Sequence, residues 1–241
     1  MALQRKTLRI VTYNIHRCRG LDGRTVPQRA IDVLAGLKAD VIALQEVIGA
    51  GPNASGHAEE IGAALGMGWV MASVRHLRGH QFGNVVLSHY PIRQHVQYDL
   101  SWRTCEPRCC QRADILVDDK TLHLFNVHLG TAYRERKDQA ERLAAIVHDT
   151  RIAPPKVLLG DFNEWSGGLA TAALTSKLEA IDLSVHLFGH ATPGWILAHS
   201  KAHHAGDGYA SAEMALWDPR AEGGPALVAW ASQQMFFTRI D

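Results

Sequence analysis

The chain has 241 residues, 46% of them hydrophobic and 20% charged, with a formal net charge of +1. That length buries a large core in one domain, and a near-neutral balance with no polybasic run excludes the footprint of a strong nonspecific DNA binder, although not a nucleic acid substrate. No apolar run of about eighteen residues occurs, and the basic N-terminus MALQRKTLRI lacks the apolar segment of a signal peptide, so the expectation is a cytoplasmic protein without a transmembrane segment.

In chain order, TLRIVTYNI reads as a strand. Pro27 then starts a helix through QRAIDVLAGLK, whose Ala30, Ile31, Leu34 and Leu37 fall at helical spacing. VIALQEV is a short buried strand, HAEEIGAALG a second helix ending at glycine, and WVMASV, NVVLSHY and RQHVQYDL are successive strands. ADILVDDKTLHLFNVHL forms a hairpin with Asp118, Asp119 and Lys120 at its turn. A helix with Ala140, Leu143, Ala144 and Val147 on one stripe follows, and VLLGDF is the next strand. Strand pairs interleaved with helices predict a layered α/β protein. The pattern stops after Trp195, where neither strand alternation nor a helical stripe is visible. Four cysteines, with Cys109 and Cys110 adjacent, match neither a disulfide framework nor a CxxC zinc pattern, which predicts reduced thiols.

The chemistry gathers where apolar runs end. Asn14, Glu46, His128 and the pair Asp161/Asn163 close the segments RIVTYNIH, VIALQEV, LFNVHLG and VLLGDFNEW, an oxygen-rich set with one imidazole that suits a divalent metal and phosphate. The strand period of two puts Asn126 and His128 on one face, able to approach one ligand, and aligns Asp161 with Asn163. Glu46 ends a buried strand, where an isolated charge is costly without a cation or partner, and Mg²⁺ is typically held by one or two carboxylates. Taken singly, Asn14 also reads as a turn cap, Glu46 as half of a salt bridge and His128 as a satisfied core histidine. Their coincidence favours a site.

At these residues the sequence resembles the endonuclease/exonuclease/phosphatase (DNase I-like) superfamily, and its texture is similar to that of small bacterial members. The resemblance spans roughly residues 7–195 through RIVTYNIH, DVIALQEV, FGNVVLSHYPI, NVHLG, the helix containing RERKDQAERL, and LLGDFNEW, in the family's order. It implies a four-layer α/β sandwich, two mostly antiparallel sheets packed face to face with helices outside, in one domain over residues 1–241. It further implies a metal-dependent phosphoesterase in which Asn14 and Glu46 hold Mg²⁺ (or Mn²⁺) and His128 contacts the scissile phosphate. Asp161 and Asn163 would orient the attacking water, and Asn126 and Arg108 would bind substrate. Arg108 or Arg112 would add positive charge, although arginines near a strand commonly lie on a solvated face. The implied partner is a phosphoester, whether nucleic acid, phospholipid headgroup or inositol phosphate.

One departure stands out. Family members close with a Leu-Asp-x-Ile type strand and a Ser-Asp-His triplet, and neither occurs in this chain. Residues 196–241 form an atypical C-terminal segment, the pattern a reading-frame change near Trp195 would leave. His199 and His203 have the spacing of a helical metal pair, but no glutamate sits between them, and a histidine-rich loop is the expectation. Three readings follow: a phosphodiester hydrolase, a catalytically impaired module that binds metal and phosphate, and a zinc hydrolase using the tail.

Overall fold

The computed structural model describes residues 8–20, 22–52 and 55–163, and the strands at 181–187, 197–206, 209–218 and 226–236. The run VIALQEVI is apolar at successive positions, and as β2 (Val41–Ile48) it is buried almost throughout, as a strand covered on both faces must be. It pairs in parallel with β1 (Ile10–Asn14). On its other side it pairs antiparallel with β4 (His80–Ser88), which in turn pairs with β3 (Gly68–Leu77). The second sheet runs β5 (Ile92–Asp99), β6 (Cys109–Val117), β7 (Lys120–His128) and β8 (Lys156–Asp161), antiparallel except for the parallel pair β7–β8.

Helix α1 (Pro27–Leu37) begins at proline, whose fixed φ suits a first helical turn, and ends where Lys38 turns left-handed at φ 49°. Helix α2 (His57–Leu65) starts where the Glu59 carboxylate accepts the Gly56 N–H at 2.8 Å and stops at Gly66, with φ 63°. Ile31, Leu34, Ala58 and Ile61 from these helices pack on Ile42, Leu44, Val85 and Leu87, one face of the first sheet. The opposite face supplies Val41, Ala43 and Val86 to a second core with Ala113, Ile115, Leu122 and Leu124 of the other sheet. Each fully buried aliphatic side chain contributes about 1.5–3 kcal/mol relative to exposure. Helix α3 (Tyr133–Val147) buries the expected stripe of Ala140, Leu143, Ala144 and Val147 and carries the chain from β7 to its parallel neighbour β8. The result is the expected α/β sandwich, two mostly antiparallel sheets face to face with helices outside.

Residues 1–163 form one compact unit and 164–241 another. In the second, β9 (Ile181–Leu187), β10 (Leu197–Gly206), β11 (Tyr209–Asp218) and β12 (Ala226–Phe236) make an antiparallel sheet in the order β10-β11-β12-β9. This corrects the expectation that the chain after Trp195 lacks regular structure. It also corrects the reading of His199, His203 and His204 as a loop or a helical pair, because β10 carries all three on extended backbone. The segment is poor in β-branched residues, so ladder pairing rather than apolar alternation defines these strands. Among the described residues no helix is long and apolar enough to cross a membrane.

Candidate active site

Parallel pairing is what gathers the site. It sets Asn14 beside Gln45 in the first sheet and His128 beside Asp161 in the second, so both strand pairs end by presenting polar side chains at one edge. The Asn14 side chain joins the two sheets: its Nδ2 donates to Glu46 Oε1 at 3.2 Å and to Asp161 Oδ2 at 2.8 Å. His128 Nε2 stands 3.7 Å from the same Asp161 oxygen, a charge–dipole approach beyond hydrogen-bonding range.

Local backbone irregularities aim these groups. The β2–β4 register slips between Leu44 and Val47, and within that bulge Glu46 takes φ 55°. A bulge re-aims a side chain, and a left-handed non-glycine residue costs about 1–3 kcal/mol, so the fold holds Glu46 against a local penalty. Gly160 has φ 139°, and a Cβ there would lie 2.0 Å from the Val127 carbonyl oxygen, so only glycine lets β8 lie this close to β7 before Asp161. Just beyond, the Asn163 backbone N–H donates to Asp161 Oδ1 at 2.9 Å, and its side-chain amide donates to the Leu129 carbonyl at 2.7 Å. Asn163 therefore fixes the orientation of Asp161 and ties it to the end of β7.

Arg108 is only 8% exposed, which corrects the solvated-face expectation. The Leu100 N–H donates to the Arg108 carbonyl and the Arg108 N–H donates to Ser101 Oγ, closing the β5–β6 loop on itself. Arg108 then lines a small cavity with Glu46, Asn84 and His128. Arg112 is buried too, but in a separate groove, where it donates to Tyr98 and pairs with Asp114 at 3.0 Å. Burial first, and then the Arg108 charge, push His128 below the ordinary imidazole range against the opposing pull of Asp161 and Glu46, so it is neutral at pH 7.

Asn126 requires a correction. It does share a face with His128, but it is fully buried between the sheets: Nδ2 donates to the Leu44 and Val85 carbonyls and to Gln111 Oε1, while Oδ1 accepts from Gln45 at 2.7 Å. With donors and acceptor engaged, it clamps the bulged end of β2 instead of reaching a ligand.

Two residues went unanticipated. His16 Nδ1 lies 3.2 Å and Arg17 Nε 3.6 Å from Glu46 Oε2, and the His16 N–H donates to Asn14 Oδ1 at 3.0 Å. Their place in the loop directly after Asn14 was the available signal. The donor set of Glu46, Asn14 and Asp161 is all oxygen apart from the bridging amide, and among the described residues no group of three or more His, Cys, Asp or Glu is poised to hold a metal. Two carboxylates converge on one amide, and the Arg17 guanidinium beside Glu46 offsets only part of their charge. The set fits a hard, oxygen-seeking divalent cation that keeps part of its water shell, and does not fit a zinc site.

A family model described as the endonuclease/exonuclease/phosphatase family matches residues 11–221. The uncharacterized protein YbhP of Escherichia coli K12 is 29% identical over 176 residues, 67% of this chain and 69% of that protein. Among solved structures, an endonuclease/exonuclease/phosphatase family protein from Bacteroides thetaiotaomicron superposes with a TM-score of 0.62 at 14% identity, covering 96% of this chain and 98% of the other. The mannosyl-6-phosphatase Bt3783 of Bacteroides thetaiotaomicron VPI-5482 superposes with a TM-score of 0.60 at 14% identity, covering 95% and 100%. At such identities the likeness to solved structures concerns the fold.

Proposed function

The chain belongs to the endonuclease/exonuclease/phosphatase family, and on that premise we propose that it is a metal-dependent phosphodiester hydrolase cleaving a P–O bond by in-line attack of water. One observation carries the reading: Asn14, Glu46, His128 and Asp161 converge from two sheets at the ends of two parallel strand pairs. Glu46 and Asn14 are the residues that would hold Mg²⁺, or Mn²⁺ in its place, and such a cation supplies Lewis-acid stabilisation of charge developing on the phosphate and leaving oxygens. Asp161, oriented by Asn163 and Asn14, hydrogen-bonds the attacking water and accepts its proton. Neutral His128, in its Nε2–H tautomer, donates to a nonbridging phosphate oxygen. Arg108, which lines the same cavity, adds a fixed positive charge.

This reading takes residues 1–241 as one domain, 7–195 family-like and 196–241 atypical, and the family match continuing to residue 221 supports carrying the domain past Trp195. Four free cysteines support a reducing, cytoplasmic location. The substrate classes in view are nucleic acid, phospholipid headgroups and inositol phosphates, with phosphomonoesters assayed alongside because a neighbour in fold is a sugar phosphatase. Absence of the Ser-Asp-His triplet favours a second reading, a module that binds metal and phosphate with impaired catalysis. Hydrolysis of bis-p-nitrophenyl phosphate with added Mg²⁺, beside an identically purified Asp161→Ala, separates the two. The hydrolase reading expects turnover abolished by chelator and by the substitution. Metal binding without turnover in soluble wild-type protein favours the second.

A further inference from the structure

Next to the cavity, β3 and the β5–β6 loop bring two arginines onto one carboxylate. Glu106 is shared by two arginines: its Oε1 pairs with Arg75 at 2.6 Å and its Oε2 with Arg108 at 3.0 Å. One carboxylate between two guanidinium groups leaves a surplus positive charge. Nε of Arg75 and Nε of Arg108 are both buried without a hydrogen-bond partner, although Arg108 is more than nine-tenths buried and lines the cavity beside His128. The Arg75 guanidinium stacks 4.8 Å from the Phe82 ring centroid, and Phe82 lines the same cavity. A desolvated guanidinium with half a counter-charge is costly unless an anion completes it.

The Arg75–Glu106–Arg108 cluster is also built to stay in place. Helix α3 anchors the loop that carries it: Gln139 Nε2 donates to the Leu100 carbonyl at 3.1 Å and Arg142 NH1 to the Ser101 carbonyl at 3.1 Å. The bond between Leu100 and Arg108 closes that loop, and Gln97 Nε2 donates to the Ser73 carbonyl, fastening β5 to β3 just before Arg75. Rigid donors that need no ordering on contact are what an anion subsite requires.

Resting on the phosphoesterase reading above, we propose that Arg75, Glu106 and Arg108 form a specificity subsite for a second anionic group on the substrate, so that the enzyme acts on phosphoesters bearing another negative charge near the scissile phosphate. Arg108 faces the reacting phosphoryl group, Arg75 extends the positive edge outward, and Glu106 holds both guanidinium planes while moderating their charge. A cationic neighbour such as choline meets like charge at this subsite and is disfavoured.

The test uses three diesters with the same p-nitrophenyl leaving group and flanking groups of different charge: p-nitrophenylphosphorylcholine, thymidine 5′-(p-nitrophenyl phosphate), and the latter bearing a 3′-phosphate. Wild-type kcat/KM is expected to rise in that order, with about a tenfold gap between the last two, the scale of one charge-assisted contact. Arg75→Ala should collapse the ratio of anionic to neutral substrate, and Glu106→Gln should widen it while keeping the shape of the side chain. The ratio should also shrink with rising salt. Turnover of all three without this order, or a ratio unmoved by Arg75→Ala, overturns the subsite while leaving the hydrolase reading standing. Turnover of none overturns both.

Discussion

Asn126→Ala tests whether the buried amide clamps the sheets or touches substrate. The substitution removes an amide whose two N–H groups are shared among three acceptors, the Leu44 and Val85 carbonyls at 3.1 and 3.2 Å and Gln111 Oε1 at 3.2 Å, in a place with no solvent access. Gln45 Nε2 loses one acceptor but keeps Thr12 Oγ1 at 3.1 Å and the Ala43 carbonyl at 3.3 Å. Two N–H groups are thus lost to these acceptors, at about 1 kcal/mol each, giving a loss near ~2 kcal/mol before any cavity cost. With a urea slope of about 2 kcal/mol/M, the unfolding midpoint should fall by about 1 M. Equilibrium urea unfolding followed by tryptophan fluorescence reads this directly. A midpoint within about 0.3 M of wild type, together with a raised KM, would refute the clamp and restore substrate contact.

Other consequences are as direct. Gly160→Ala must displace β8 from the Val127 carbonyl, since its new Cβ would meet that oxygen at 2.0 Å. Misplacing Asp161 by about 1 Å should cost about a hundredfold in turnover, with circular dichroism showing the fold retained; wild-type turnover would contradict the packing. Burial lowers His57 and His95 below the usual 6.5, so the unfolded chain binds protons on them where the folded one does not. Stability is therefore full above about 6.5 and falls as the pH drops through that value toward the depressed folded ones, which urea midpoints at about pH 7.5 and about pH 5.5 will check. Cys18 and Cys109 are buried with thiols pushed up to about 11 and about 12, Cys110 is raised further, and Cys105 alone is partly exposed, so a thiol reagent should label one cysteine of four in the native protein. Rapid labelling of two or more would contradict that burial.

Much of the first 163 residues was legible because each strand is an apolar run of fitting length and each helix carries its own start and stop. Pro27 and Gly66 mark ends that composition alone reveals, and the stripe of Ala140, Leu143, Ala144 and Val147 gives the buried face of α3. The site was legible as a list, not as roles. Asn126 and His128 alternate identically along β7, yet one lies between the sheets and the other at their edge, a distinction made by sheet packing and not by periodicity. Arg108 and Arg112 stand four residues apart, and only the closure of the β5–β6 loop separates the cavity from the groove. The shared Glu106 depends on β3 meeting that loop, a contact about thirty residues away in sequence. The strands after Trp195 escaped because alanine, glycine and histidine carry little alternation. Translating the encoding gene in its other frames tests the reading-frame idea directly, since Leu-Asp-x-Ile and Ser-Asp-His segments should appear there, and their absence ends it.

Water attack on phosphorus at Asp161 is read by single-turnover hydrolysis of a simple phosphodiester in ¹⁸O-enriched water with Mg²⁺, the products analysed by mass spectrometry. One ¹⁸O is expected in the phosphate product and none in the released alcohol, with both product and label lost in Asp161→Asn. Label in the alcohol, or undiminished turnover by Asp161→Asn, would contradict that mechanism.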